Sequence, residues 1–298
     1  MKRLAVIDLG TNTFNLLVID RKKNSFTEIY GTKVGVGLGL GGINENLIRE
    51  DAMRRGLRTL RKYKSKCNML NVDKIVAFGT SAIRNASNQS EFINQVKYQT
   101  GIDVQVISGE TEAALIYKGV NSGLQMPDPF LIMDIGGGST EFIVGNSDKM
   151  IEAASFEIGA ARIFQEFELS DPIISSDCEK VENYLNRGVG RFFDGMKVDR
   201  LIGASGSFET FYELISNKTY PVNQYVELSK GALMYQLDSI IRSSLAEREQ
   251  DDRIIPIRKK MAPIAAMKIR WIIRKLNIQK IMISPYSLKE GVIDEVIV

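Results

Sequence analysis

Met133-Asp134-Ile135-Gly136-Gly137-Gly138-Ser139-Thr140-Glu141-Phe142-Ile143-Val144 decides how this chain is read. An apolar run from Pro129 ends in a carboxylate, three glycines and two hydroxyls follow, and a second apolar run leaves behind Glu141. The pattern predicts strand, tight turn, strand, with Asp134 and the glycine amides gathered at the turn. Glycines let a backbone approach a ligand closely, and successive free N–H groups form an anion-binding concavity. Asp134 suits a hard cation, held directly or through water. An ordinary Gly-rich hairpin explains the glycines but not a carboxylate on each side of them.

The same pattern occurs once more. Arg3 to Asp20 places Asp8 where the later stretch has Asp134, Gly10 where it has Gly136, Thr13 for Ser139 and Asn15 for Glu141, each 126 positions apart. A local repeat at nearly half the chain length predicts a duplicated domain. Two such domains facing across a cleft would set one phosphate-binding turn on each side.

The 298 residues suffice for two cores, and the composition is that of an ordinary globular protein. There is no histidine, which excludes Ser–His–Asp and Cys–His catalysis and every His-containing metal site. General acid–base work falls to Asp, Glu, Lys or Tyr, and a metal would be a hard ion on oxygen ligands, Mg²⁺ first among them. Cys67 and Cys178 lie far apart without a partner motif and read as plain thiols. A net charge of +3 is too small to imply nucleic acid. No apolar run reaches membrane-spanning length, and Met1-Lys2-Arg3 leads into a strand-like run without a signal-peptide core, so a cytoplasmic protein is expected.

Between and after the turns, residues 26–36 read as a strand. The stretch 35–42, with glycine at alternate positions, reads as a mobile loop near the cleft, since no Gly-Lys-Ser/Thr follows it. Asn46 to Lys66 reads as a helix whose many basic residues form a solvated face. Strand 74–79 runs into Thr80-Ser81-Ala82-Ile83-Arg84, small hydroxyls and an arginine at a strand's C-terminal end, where α/β folds bind ligands. Arg84 either clamps a phosphate or forms a surface ion pair. Ser108 reads as the N-cap of a helix carrying Glu110 and Glu112 in its first turn; these are helix-dipole partners, or one of them activates a water. Gly123 to Pro129 reads as an interdomain linker, Gly159–Arg162 opens a helix with Arg162 as a second phosphate contact, and Arg200 to Ser207 is a strand feeding a helix N-terminus. Helices follow near 175–195, 228–247, 253–260 and 262–276, then strand 279–284 and helix 287–297. The expected class is α/β, with mixed sheets in two duplicated domains, 1–124 and 125–298, the last helix packing back on the first domain.

Four motifs in order carry a family resemblance: Ile7 to Phe14, Gly79 to Arg84, Ile107 to Ala113 and Asp134 to Glu141, with weaker matches at Gly159–Arg162, Gly203–Ser207 and Ser287–Gly291. Together they span nearly the whole chain. It resembles the exopolyphosphatase/guanosine pentaphosphate phosphohydrolase family, of the actin-like, sugar-kinase and heat-shock ATPase fold. The resemblance implies two ribonuclease-H-like domains across a cleft and release of terminal phosphate from polyphosphate or of the 5′-γ-phosphate from guanosine pentaphosphate. It implies Glu112 as catalytic base, assisted by Glu141. Arg84 is implied on the phosphate, and Asp8, Asp134 and Glu141 at a magnesium ion. Gly10, Thr11, Asn12, Thr13, Gly136, Gly137, Gly138, Ser139 and Thr140 would hold phosphate. Homodimerisation is common in the family. The chain departs from it at Gly37, where a basic residue is usual, at Arg258-Lys259-Lys260, where an acid is replaced by lysine, and at Lys289, where arginine is common. It also stops without the C-terminal helical domain of longer members. The alternatives are an ATP-dependent kinase or ATPase of the same fold, and a non-catalytic sensor of polyphosphate or an alarmone.

Overall fold

A computed structural model describes residues 3–22, 25–221 and 223–297. Met1 and Lys2, on which the reading of the N-terminus rested, lie outside the described residues. The first half opens with strands β1 (Arg3–Leu9), β2 (Thr13–Arg21) and β3 (Phe26–Gly35), an antiparallel meander. Helix α1 (Glu50–Met69) leads to β4 (Lys74–Gly79), the one-turn α2 (Ser81–Arg84), α3 (Gln89–Thr100), β5 (Val104–Val106) and α4 (Gly109–Asn121). The second half repeats the meander as β6 (Phe130–Ile135), β7 (Thr140–Gly145) and β8 (Met150–Phe156). It continues through α5 (Ala160–Glu166), α6 (Ser175–Val189), β9 (Arg200–Ala204), α7 (Gly206–Ser216), β10 (Val226–Leu228) and α8 (Lys230–Arg242). It ends with α9 (Leu245–Gln250), α10 (Pro256–Lys259), α11 (Ala262–Lys275), β11 (Lys280–Ile283) and α12 (Leu288–Ile297).

Among the described residues the strands form two mixed sheets, ordered β3-β2-β1-β4-β5 and β10-β11-β9-β6-β7-β8. Apart from the extra edge strand β10, the second order is the first repeated, and the repeat extends to register. Asp8 lies opposite Asn15 and Leu9 opposite Phe14; Asp134 lies opposite Glu141 and Ile135 opposite Thr140. In both sheets the strand after the meander pairs parallel to its first strand, β4 on β1 and β9 on β6. Both turns therefore sit at the C-terminal ends of central strands, beside the first crossover helices.

Each sheet buries an outer face under its own helices. The inner faces share a third core. Val6, Leu17 and Ile19 of the first sheet and Ile132, Ile143 and Ile202 of the second close over Ile116 and Val120 of α4 and Val292 and Ile293 of α12. Helix α4 also packs on β7 and β8, and α12 on β1. The two helices approach through glycine, since a Cβ on Gly291 would lie 1.8 Å from the Leu115 carbonyl oxygen.

Three expectations change. The 35–42 stretch is pinned: the Val36 and Gly37 amides both donate to the Asn12 carbonyl at 2.9 Å, Gly39 donates to that of Thr11 at 3.1 Å, and Leu38 is fully buried. Alternating glycine marks close packing on the first turn here. The helix expected over 228–247 breaks at Ser243-Ser244, because Ser244 caps α9 in a capping box with Glu247. The helix expected from Asn46 begins at Glu50, since Asn46 is left-handed at φ 51°. Among the described residues no helix is long and apolar enough to cross a membrane.

Candidate active site

The cleft between the sheets is lined by Asp8, Gly10, Thr11, Asn12, Thr13 and Asn15 from the first turn and by Asp134, Gly136, Gly137, Gly138, Ser139 and Glu141 from the second, with Glu112 beside them. The turns press on each other. A Cβ on Gly137 would lie 2.7 Å from the Asn12 side chain, and one on Gly138 would lie 2.4 Å from the Ser81 hydroxyl. Gly137 and Gly138 are thus favoured by their close neighbours, Asn12 and Thr11 of the facing turn and Ser81 of α2, before any ligand is considered.

The carbonyls of the second turn are already taken. The amides of Gly159, Ala160 and Ala161, at the start of α5, donate to the carbonyls of Gly138, Gly136 and Gly137 at 3.0, 3.0 and 2.8 Å. A peptide's N–H points opposite to its C=O, so engaging these carbonyls with α5 turns the glycine amides towards the cleft.

Four carboxylates line this space: Glu112, Asp134 and Glu141 are nearly closed to solvent and Asp8 is partly buried. Glu141 is 2% exposed and accepts a hydrogen bond from the Ser155 hydroxyl at 2.7 Å. Burial, with the charge of Asp134 next in weight, raises its pKa to about 7. Asp134 accepts from Ser205 at 2.6 Å and Ser287 at 2.7 Å, and burial still raises it. Asp8 accepts from the Asn15 amide at 2.8 Å, and burial raises it to about 6. Glu112 is 7% exposed, and burial, followed by the charge of Glu141, pushes it well above the usual carboxylate range. Ser205 has φ 64° and ψ 179°, a region nearly reserved for glycine, at a cost of about 1–3 kcal/mol. The strain aims its hydroxyl at Asp134.

Three expected phosphate contacts are placed differently. Thr140 is fully buried, does not line the cleft, and accepts a hydrogen bond from the Lys268 ammonium. Strand periodicity explains this, because Ser139 and Glu141 share the cleft face and Thr140 points to the other. Arg84 is also absent from the lining. It donates to Glu112 at 2.8 Å and to the Ile107 carbonyl at 3.2 Å. Arg162, read as a second phosphate contact, is occupied by Glu157 at 2.7 Å and by the carbonyl of Ile43 at 3.0 Å. Asp8, Asp134 and Glu141 do not form a closed cage: among the described residues no three acidic or thiol groups gather at metal-ligand spacing.

The sequence reading missed several participants. Glu157 holds Arg84, Arg162 and the Ser81 hydroxyl together at the cleft edge. Lys33 of β3 lines the cleft and faces Glu209 of α7 at 3.5 Å. Lys268 is fully buried behind the second turn, and burial lowers its pKa to about 7. Beyond the turns the cleft continues along an apolar wall of Phe211, Leu214, Ile257 and Met261, with Arg258 and Lys289 beside it.

Comparison with known proteins agrees with this fold. An exopolyphosphatase from Cytophaga hutchinsonii is 35% identical, with a TM-score of 0.95 over 99% of this chain and 98% of that one. A PPX-GPPA enzyme of Aquifex aeolicus is 25% identical, with a TM-score of 0.82 over 99% of each chain. A bifunctional 3-dehydroquinate synthase/phosphatase of Fusobacterium nucleatum is 30% identical over 84% of this chain, which spans 38% of that relative's length. The model of the Ppx/GppA phosphatase family matches residues 17–297, and the chain belongs to that family.

Proposed function

We propose that the chain is a phosphoanhydride hydrolase that releases the terminal phosphate of inorganic polyphosphate. The observation that carries this reading is Glu112. It is a buried carboxylate on the cleft wall between two matched turns, oriented by Arg84, and burial raises its proton affinity well above that of an ordinary carboxylate, as a general base needs. The terminal phosphate sits against the amides of Thr11–Thr13 and Gly137–Ser139. Glu112 takes a proton from a water whose oxygen attacks the terminal phosphorus in line. The bridging P–O bond breaks, its electron pair stays on the shortened chain, and orthophosphate leaves. Glu141 strengthens the base by raising its proton affinity, and Arg84 holds it in place.

The residues fit a divalent cation such as Mg²⁺. The ligands are all oxygens, and Asn15 Oδ1, buried beside Asp8, has no hydrogen-bond partner within the protein. Asp8, Asp134 and Glu141 would hold the ion through water and substrate oxygens, the usual habit of Mg²⁺. Its chemistry there would be neutralisation of phosphate charge.

A second substrate, guanosine pentaphosphate, is favoured by the apolar wall of Phe211, Leu214, Ile257 and Met261, which offers a nucleoside a surface that bare polyphosphate does not need. Action as a homodimer belongs to the same proposal and rests on the family resemblance, and a cytoplasmic location rests on the reading of the sequence. The deciding experiment measures phosphate release from polyphosphate, guanosine pentaphosphate and ATP side by side, with and without magnesium. Turnover of the first supports the main reading. Turnover of ATP alone, or tight polyphosphate binding with no turnover, would replace it with the kinase or sensor alternative.

A further inference from the structure

Lys268 is a charged side chain in the core that the hydrolytic steps do not use. Helix α11 is buried without a break from Ala262 to Ile269, so Lys268 has no route to solvent. Its ammonium donates to the Thr140 hydroxyl and, at 2.5 Å, to the Ile158 carbonyl. These acceptors flank the second turn. Thr140 begins the strand that leaves it, and Ile158 precedes Gly159, whose amide opens the series capping the turn's carbonyls. One side chain therefore ties the exit of the glycine turn to the helix start that orients its amides.

The duplicated half serves as an internal comparison. Phe14 occupies the position of Thr140 in the first turn, in the same register, and is packed in an apolar core. The first turn is braced instead through backbone, by the 36–39 segment on the carbonyls of Asn12 and Thr11. The two turns thus have different braces, and burying an ammonium is costly unless its donors are used.

We propose that Lys268 is a positioning residue for the phosphate-binding turn, clamping β7 to the start of α5 so that the amides of Gly137–Ser139 stay aimed into the cleft. This rests on the reading of that turn as a phosphate site, and the test separates the two ideas. Hydrogen exchange at the Gly159, Ala160 and Ala161 amides reports the clamp itself. In full-length Lys268→Met, exchange there should quicken at least tenfold, while the Gly39 amide, bonded to the other turn, keeps its rate. The polyphosphate KM should rise severalfold, with a smaller fall in kcat; a folding defect would lower the active fraction, reducing kcat at constant KM. Unchanged exchange at the three amides, or equal acceleration at Gly39, overturns the clamp. Faster exchange at the three amides with KM unmoved upholds the clamp and counts against the turn as a phosphate site. Should Lys268→Met fail to fold, Thr140→Val removes one acceptor from the other side and is read on the same amides in the same way.

Discussion

The Arg84 guanidinium donates to the Glu112 carboxylate at 2.8 Å, so the arginine expected on the substrate is engaged with the carboxylate proposed as base. Both lie largely out of water, where a lost partner costs more than at the surface. The pair ties the Gly79–Arg84 motif to the Ile107–Ala113 motif, and explains why both stand together in the chain although neither resembles a phosphate loop.

Glu112→Gln keeps the shape and one acceptor but cannot take a proton. Turnover of polyphosphate should fall by about 100-fold or more, the scale of a lost general base, with KM nearly unchanged. A colorimetric phosphate assay at saturating polyphosphate checks this, and wild-type turnover would remove Glu112 from the base role.

Arg84→Ala would leave Glu112 buried among carboxylates without its cation. Arg84 lowers the Glu112 pKa, so its loss raises that pKa further. Activity requires the deprotonated base and disappears as pH falls through its pKa, so the acid limb of the kcat/KM profile should move to higher pH. A limb that stays in place, with only KM raised, would return Arg84 to direct phosphate binding.

The turns were legible because their chemistry lies within a few consecutive residues and occurs twice, and the sheets carry that repeat down to the pairings of Asp8 with Asn15 and Asp134 with Glu141. What surrounds them was not. Lys268 stands in the run Ala265-Ala266-Met267-Lys268-Ile269-Arg270, where a lone lysine reads as a solvent-facing residue of an amphipathic helix. Lys33 alternates out of an edge strand, and Glu157 follows another edge strand, both ordinary surface settings until folding turns them to the cleft. Thr140 was misread because motif spacing was followed where strand alternation decides.

The buried carboxylates set a pH dependence of stability. Asp8, at about 6, and Glu141, at about 7, lie above their ordinary values, so between about pH 4 and 7 the folded chain binds more protons than the unfolded chain. Stability then falls as pH rises through that window. Carboxylates held low, such as Glu157 and Asp177, act only below their ordinary values, and Lys268, lowered to about 7, opposes the trend only from about pH 7 upward, where it offsets part of the loss. No histidine competes. Metal-free protein should therefore melt about 5 °C higher at pH 5 than at pH 7.5, for a difference on the order of 2 kcal/mol. Added Mg²⁺ should recover most of this at pH 7.5 by binding the folded state alone. Calorimetry that finds equal or rising stability towards pH 7.5 without metal would show that the four carboxylates are not buried together.

Lys33 and Glu209 face each other across the cleft at 3.5 Å, one from each sheet's half, with their side chains about a third exposed. A polyanion entering between them would attract the ammonium and repel the carboxylate. Such a contact holds the substrate in the ground state and the transition state alike. Lys33→Met should therefore raise the KM for polyphosphate severalfold with kcat nearly kept, and should flatten its dependence on salt, since one screened attraction is gone. Glu209→Gln should act in the opposite sense, lowering KM by relieving repulsion. Steady-state kinetics from low to moderate ionic strength test both, and a KM unmoved by either change would confine the substrate to the glycine turns.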